Sequence, residues 1–514
     1  MKSSVKSPFL ATLFLGAAPL IAANEVPPLA SGTWLDQAVR SGWGLGPGWS
    51  FGATGVTRFE VRENGGSVGP GSVADFRTDV DNDNTLLLEK VLIRAAHEAG
   101  WHRWTLEVRH SSSTGDDRSS SGLGEVRVAP DGTVLSARPL GGGSGPESDG
   151  PLDLQQAFVR LGDPTASAAT VRIGRQELLL GEQRIVGPLA WNNIQRQWDA
   201  AVVRWTPGRS VVEAWSSMPV VPDDNAFNRS NPGEVFSGIH WGTPVLPGVW
   251  SEVSLLARNV SRKANDGDLA LTPAPYRPPE AQDVCTLGVV LRGATNSSLP
   301  FEWAAQLYGQ AGNFADAREA GGLGPRREHR AWASVLSGGR TWKSAPLRPR
   351  VSVEYAFASG DQDPADGVHG TFVHLYPTGH LFYGYADLAS LQNLHNVRLH
   401  TEWNPSPTLR IQADGHVRWL ATTSDGFYNV GGLPRGGMSP QPVADRGHGF
   451  GIRPDARGFL GTEIDLVGTW TPVPAFSLEA GWSHVFRGDY IRDSLARVGS
   501  QDVDFLYLQT RVRF

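Results

Sequence analysis

The sequence predicts an all-β protein, a transmembrane antiparallel up-and-down β-barrel of about 18 strands. Stretches of alternating apolar and polar residues recur along the chain, the pattern of strands with one apolar and one polar face. Their connections alternate between short and long, as in barrels with short periplasmic turns and long extracellular loops. After the first 23 residues there is no run of about 18 apolar residues to form a membrane-spanning helix.

The composition supports many short strands. Among 514 residues there are 61 Gly, 36 Pro and 18 Trp, and Gly and Pro interrupt strands while Trp packs on pleated sheets. The net charge of −6 gives no basic footprint, so we expect no nucleic-acid partner. Cys285 is the only cysteine in the sequence, which excludes an intramolecular disulfide.

The N-terminus predicts export. Lys2 and Lys6 precede an apolar stretch at 8–21, and Ala22 and Ala23 supply small residues for cleavage. We therefore predict a signal peptide at 1–23, a periplasmic lead-in at 24–50 and an outer-membrane barrel at 51–514. The expected location is the bacterial outer membrane.

The first strand shows the alternation clearly, with Phe59 and Val61 on one face and Arg58 and Glu60 on the other. The predicted strands are 51–64, 85–96, 101–110, 152–161, 170–176, 198–205, 211–215, 235–241, 249–260, 284–292, 301–309, 329–336, 350–358, 394–403, 409–420, 461–471, 476–486 and 503–514. The strand at 235–241 is the weakest, and it is included because the alternation of loop lengths fails without it. The long connection 111–151 carries a small predicted hairpin around an Asp-Gly turn.

Alternation alone does not show which face of the sheet points inward. A soluble barrel buries its apolar face, whereas a membrane barrel turns that face to lipid. The predicted export and the large strand number favour lipid outside. Aromatic residues near predicted strand ends fit a membrane-interface girdle; they are Trp101, Trp205, Trp403, Trp470 and Tyr507.

The C-terminal strand places Leu506, Leu508, Val512 and Phe514 on one face. It resembles the closing strand of bacterial outer-membrane proteins, whose terminal aromatic residue is recognised by the barrel-assembly machinery. The resemblance implies that this machinery and outer-membrane lipid are partners of the chain.

Two longer blocks resemble the alginate-export porin family. They are GRQELLLGEQRIVGPLAWNNIQRQWDAAVVRW at 174–205, preceded by LQQAFVRLG, and EYAFASGDQDPADGVHGTFVHLYPTGHLFYGYADL at 354–388. GTEIDLVGTW and AGWSHVFRGDYI resemble the family's C-terminal strands, so the similarity extends from about residue 152 to 514. It implies a non-enzymatic channel that passes an anionic or polar saccharide by diffusion. The family's best-known member is an 18-stranded barrel with an arginine-lined constriction for a polyuronate.

A channel needs charged groups along its lumen rather than a catalyst. Guanidinium groups suit carboxylate solutes, because they offer a planar fork of donors and remain charged. The candidate pore-lining residues are Arg172, Arg175, Arg184, Arg196, Arg350, Arg398, Arg410 and Arg418. We expect the middle of 171–205 to fold into the lumen with Arg175, Arg184 and Arg196.

In the alternative interpretation these arginines only brace the barrel through neighbouring carboxylates, namely Glu177, Glu182, Asp199, Glu354 and Asp414.

No cofactor and no metal are expected. Two acidic clusters have spacings at which carboxylates bind Ca²⁺, although neither matches an EF-hand loop; they are Asp79, Asp81 and Asp83, and Asp361, Asp363 and Asp366. The alternative function is a secreted or surface β-protein that binds or cleaves polysaccharide. A plugged active transporter is disfavoured, because no plug domain precedes the strands.

Overall fold

The computed structural model describes residues 33–65, 76–79, 82–116, 125–128, 134–138, 148–164, 167–222, 227–261, 281–293, 300–315, 326–432, 434–435 and 443–514. The predicted signal peptide, Asp81 and the Asp-Gly turn lie outside the described residues. The two strands of the predicted hairpin, Glu125–Val128 and Val134–Arg138, pair antiparallel.

Eighteen strands close into one antiparallel barrel, which confirms the predicted fold class. They are β1 Trp49–Glu63, β2 Asn84–Ala99, β3 His102–Thr114, β4 Asp149–Leu161, β5 Ala169–Gln176, β6 Trp198–Trp205, β7 Val211–Val221, β8 Glu234–Leu246, β9 Val249–Val260, β10 Gln282–Gly293, β11 Glu302–Ala315, β12 Arg326–Thr341, β13 Arg350–Ala358, β14 Leu394–Ser406, β15 Leu409–Leu420, β16 Phe459–Val473, β17 Phe476–Arg487 and β18 Val503–Arg513. Each strand pairs with the next in the chain, and β18 pairs with β1 to close the barrel.

The weakest predicted strand is present and longer than expected, because β8 runs from Glu234 to Leu246. The first strand begins at Trp49, inside the predicted lead-in. Long connections follow the odd-numbered strands and short ones follow the even-numbered strands, as in 177–197 against 407–408. The alternation of loop lengths was therefore a sound basis for accepting β8.

The side chains settle the orientation of the sheet. Phe59 points outward and is 42% exposed, whereas its neighbours Arg58 and Glu60 point into the lumen and are 1% and 0% exposed. Apolar residues thus cover the outside, which faces lipid, and charged residues fill the inside. Tyr507 was wrongly predicted in the aromatic girdle. It is buried in the lumen and donates a hydrogen bond to Glu479 Oε1 at 3.0 Å.

The hydrophobic core lies inside the barrel. Two long connections, 177–197 and 359–393, carry buried apolar side chains such as Val186, Phe372 and Leu388. These residues cannot meet lipid, so they pack on one another across the lumen. An apolar core formed by loops within a polar lumen was not expected from the sequence.

Two short helices were not predicted, α1 at Trp34–Gly42 and α2 at Asp489–Ser494. The side chain of Thr33 caps the first turn of α1 by accepting from the Asp36 N–H at 3.2 Å. None of the helices in the described parts of the chain is long and apolar enough to cross a membrane.

Candidate functional site

The connection between β5 and β6, residues 177–197, crosses the whole lumen, and we call it the first inward segment. Lys90 on β2 donates to the carbonyl oxygens of Ala190 at 3.3 Å and Asn192 at 2.8 Å. Gln306 on β11 donates to Glu182 Oε1 at 2.6 Å. Strands β2 and β11 face each other across an 18-stranded barrel, so the segment spans it from wall to wall.

The second inward segment, residues 359–393 between β13 and β14, lies against the first. The Gly187 N–H donates to the Tyr376 carbonyl at 2.8 Å, and the Tyr376 N–H donates to the Ile185 carbonyl at 2.9 Å. The Thr378 N–H donates to the Gln183 carbonyl at 3.0 Å. The first two bonds form an isolated parallel bridge between Val186 and Tyr376, and together with the third we call them the ladder between the segments. The two segments therefore narrow the channel as one unit.

His374 fixes the contact between the segments. Its Nε2 donates to the Arg184 carbonyl at 2.8 Å, and its Nδ1 accepts from the Leu391 N–H at 3.1 Å. Since an N–H points at Nδ1, only the neutral ring fits both bonds. Burial lowers the pKa of His374 to about 3, because the surroundings disfavour the charged ring.

Arg184 contacts both inward segments and the barrel wall. Its two terminal nitrogens bind both carboxylate oxygens of Glu354 on β13, at 3.1 and 2.6 Å. Its Nε donates to Glu182 at 2.8 Å, and its guanidinium lies 4.0 Å from the ring centroid of Phe382. Burial opposes ionisation of Glu182, but Arg184 and Arg292 outweigh it and lower the pKa of Glu182 to about 2. The group is a buried ion-pair network in the lumen.

A pocket opens beside this network, against the wall formed by β11 to β14. Its charged lining comprises three arginines and three glutamates, Arg184, Arg350, Arg398, Glu182, Glu302 and Glu354. His400 also lines it. The charges of the six residues balance, so the pocket presents charges of both signs and no excess of positive charge.

Three predicted arginines on the strands are each held by one carboxylate. Arg398 Nε donates to Asp414 at 2.6 Å, and Arg418 Nη1 donates to Glu463 at 2.7 Å. Arg350 pairs with Glu302. Their side chains are buried in the lumen wall.

Two further arginines hold the ends of the first inward segment. Arg175 forms a bidentate pair with Asp199 at 2.9 and 3.0 Å. Arg196 donates to the carbonyls of Gly187 at 3.0 Å and Pro377 at 3.3 Å, so it joins the two inward segments.

The last two predicted arginines differ from the others. Arg172 lies 5.7 Å from the ring centroid of Phe158. Arg410 faces the lumen near the β14–β15 turn and makes one long hydrogen bond, 3.5 Å, to Thr469. Among the described residues it has no carboxylate at ion-pair distance.

Four of the five carboxylates named for bracing do pair with predicted arginines; they are Glu182, Glu354, Asp199 and Asp414. Glu177 instead accepts from Gln155 Nε2 at 2.9 Å. Burial, and then Glu107, raise its pKa. Most of the predicted arginines therefore pair with carboxylates in this structure, as the bracing interpretation expects.

Trp191 makes contacts that were not predicted from the sequence. Its ring stacks on His380 at a centroid distance of 4.0 Å, and the guanidinium of Arg58 on β1 lies 3.9 Å from its centroid. Arg58 Nη1 also donates to the Trp191 carbonyl at 2.7 Å. The tryptophan therefore ties both inward segments to the barrel wall. A large aromatic residue between Ala190 and Asn192, in a polar connection, was the sequence feature that could have indicated this role.

The acidic cluster at 361–366 is engaged in contacts with neighbouring residues of the protein. Asp361 pairs with Arg327 at 3.0 Å, Asp363 accepts from the Ala365 N–H at 3.0 Å, and Asp366 accepts from the Val368 N–H at 2.7 Å. Within the described residues no group of three or more His, Cys, Asp or Glu side chains is arranged to hold a metal ion.

Comparisons with known proteins agree with this architecture. The family profile described as alginate export matches residues 50–502. OccAB2 of Acinetobacter baumannii has a similar structure at 9% identity, with a TM-score of 0.51, covering 91% of this chain and 98% of that one. OccD3 of Pseudomonas aeruginosa is similar at 12% identity, with a TM-score of 0.50 and 91% coverage of both chains. The structural likenesses show the fold alone, and no curated protein matched in sequence.

Proposed function

This chain belongs to the alginate export family, and on that basis we propose that an anionic or polar saccharide diffuses through its charged lumen. The barrel is an outer-membrane channel. The family and the fold both point to a transporter rather than an enzyme. The alternative, a secreted or surface β-protein that binds or cleaves polysaccharide, does not fit the exposed apolar surface around the barrel.

The observation that carries the saccharide proposal is the polar pocket beside the inward segments. Arg184, Arg350 and Arg398 line it together with three glutamates, so a solute meets both donors and acceptors. A saccharide offers hydroxyl groups that bond to either kind of partner, and a uronate adds a carboxylate that matches a guanidinium. Conduction also needs binding weak enough for release. Internal pairing provides this, because a solute must compete with Glu354 for Arg184, with Glu302 for Arg350 and with Asp414 for Arg398.

Arg410 is the candidate for direct contact with an anionic solute. Three other predicted arginines on the strands each pair with a carboxylate, namely Arg350, Arg398 and Arg418. The one hydrogen bond of Arg410 among the described residues is instead to the hydroxyl of Thr469. That hydroxyl itself donates to Glu479 at 3.0 Å, and no described carboxylate pairs directly with Arg410. It lies near the periplasmic end of β15, where a solute from the periplasm enters.

The test is reconstitution of the full chain in planar bilayers. We expect conductance steps, a reversal potential that Arg→Ala changes in the predicted set shift toward cations, and concentration-dependent block by uronate oligosaccharides. Neutral oligosaccharides of equal length separate charge recognition from size. Absence of conductance would overturn the proposal that the protein is a channel. Conductance without block by either kind of oligosaccharide would overturn the proposal that the solute is a saccharide. The same preparation should release no reducing ends from polysaccharide.

Two further expectations belong to this proposal. We propose that the channel works without a bound cation, so chelation with EDTA should leave conductance unchanged. We also propose that the strand ending in Phe514 is recognised by the barrel-assembly machinery. Replacing Phe514 with Ala should then slow assembly in cells more than spontaneous folding in detergent.

A further inference from the structure

The two strands that close the barrel end at different levels. On the side facing β18, the last paired residue of β1 is Ala53, which exchanges backbone hydrogen bonds with Phe514 at 3.2 and 2.9 Å. Strand β1 begins at Trp49, so its first residues extend beyond β18, and within the described part of the chain they have no strand partner on that edge. A free edge is unfavourable at a lipid boundary, because lipid offers no hydrogen bonds.

Helix α1 covers this edge. The carboxylate of Asp36 accepts from the Phe51 N–H at 3.1 Å, on the strand edge left open by β18. The Trp34 ring meets the Phe514 ring edge-on at a centroid distance of 5.9 Å. Asp36 is buried by these contacts. The helix is therefore fixed to both strands of the closing seam, on the outside of the barrel.

The faces of α1 are clearly divided. Residues spaced one, four and five apart share one side of a helix, which places Trp34, Leu35, Ala38 and Val39 together. Asp36, Gln37, Arg40 and Ser41 form the opposite side. Asp36 points to the barrel and Leu35 and Val39 beside it are half-buried, so it is Trp34 and Ala38, the exposed part of the apolar side, that point away. Trp34 is 63% exposed, and Trp43, the C-cap residue that follows the helix, is 77% exposed.

An exposed apolar face at this height continues the lipid-facing surface of the barrel. Phe51 and Trp49 stack on the outer wall beside α1, and Trp101 is exposed at the neighbouring β2–β3 turn. Tryptophan is enriched where membrane meets water. We propose that α1 is an interfacial helix whose apolar face lies at the headgroup boundary of the periplasmic leaflet, with phospholipid as its occupant. A helix this short is marginal alone, and its attachment at the seam supplies the missing stability.

The test compares two adjacent positions that are both exposed in the structure, Ala38 on the apolar face and Gln37 on the polar face. Each is replaced by Cys in a Cys285→Ala background and labelled with an environment-sensitive fluorophore in proteoliposomes. At 38 we expect emission at shorter wavelength, quenching by phospholipids brominated near the glycerol end, and protection from iodide. At 37 we expect iodide quenching and little lipid quenching.

Equal iodide quenching at both positions would overturn the proposal, because the helix would then project into water. Protection at 38 that grows with protein-to-lipid ratio, without lipid quenching, would assign the face to a second copy and overturn it as well. An Asp36→Ala change should reduce the lipid quenching at 38 while channel conductance persists. Loss of quenching and retention of conductance would also separate this inference from the proposed transport function.

Discussion

The guanidinium of Arg184 binds both carboxylate oxygens of Glu354, at 3.1 and 2.6 Å, and so fastens a loop in the lumen to the barrel wall. The residues lie 170 positions apart. The same arginine pairs with Glu182, and its backbone carbonyl accepts a hydrogen bond from His374 Nε2. One side chain thus joins both inward segments to strand β13.

Arg184→Ala should loosen the first inward segment. Breaking a buried ion pair by removing one partner costs about 3–5 kcal/mol, because the remaining charge is uncompensated. We expect faster hydrogen–deuterium exchange in 177–197 and a larger, noisier conductance. The control is Arg330→Ala, since Arg330 and Glu328 form an exposed pair, worth about 0–1 kcal/mol. Equal exchange in both variants would show that the Arg184 pair does not hold the segment.

Arg410→Gln should shift the reversal potential toward cations, because it removes a positive charge that no described carboxylate pairs with directly. The matched control is the double change Arg350→Gln with Glu302→Gln, which removes an ion pair and keeps the net charge. We expect selectivity to change in the first variant and to stay close to that of the parent in the second. If selectivity changed in the double variant and not in Arg410→Gln, the paired residues would be the ones that set the selectivity.

Trp191→Ala should weaken the attachment of both inward segments to β1. The change removes the stack on His380 and the contact with Arg58, a loss of the order of 3 kcal/mol for a large aromatic ring. Exchange in 188–193 and in 378–386 should rise together. Trp241→Ala, at an exposed position on the outer wall, is the control for losing a tryptophan. A rise confined to 188–193 would argue against the shared attachment.

Acidification should loosen the ladder between the inward segments. The pKa of His374 is about 3, below the ordinary 6.5, so the folded arrangement favours the neutral ring. Its contribution to stability is complete above pH 6.5 and is lost as the pH falls toward 3. Exchange in 372–378, corrected for the intrinsic rate, should therefore be faster at about pH 5 than at pH 7.5. His374→Gln should reduce this dependence, since a Gln amide can still donate and accept. An unchanged dependence in that variant would assign it to other groups.

Much of the barrel was predictable, because its physics is local. Phe59 beside Arg58 and Glu60 shows a two-faced strand without any knowledge of its partner. The alternation of connection lengths then supported β8, whose own pattern was weak. Alternation does not mark where a strand ends, and β7 accordingly extends to Val221, beyond the predicted 215.

The site was less predictable, because its contacts are distant in sequence. Arg184 and Glu354 could be named as candidates from their residue types alone. Their pairing could not be predicted, because it depends on a loop that crosses the lumen. Trp191 was missed because an isolated tryptophan in a loop has no periodicity to interpret. Helix α1 was missed for a similar reason: it is short, and the open edge at Phe51 that it covers exists only after β18 has closed on β1.

The ladder around Val186 and Tyr376 has a consequence for the kinetics of the channel. If one inward segment leaves its place, the backbone groups of the other lose their partners, so partial displacement is penalised. Motion of the two segments is therefore cooperative. Single-channel current should move between a few discrete levels rather than drift continuously, and the dwell time in the narrow level should report the lifetime of the joined pair.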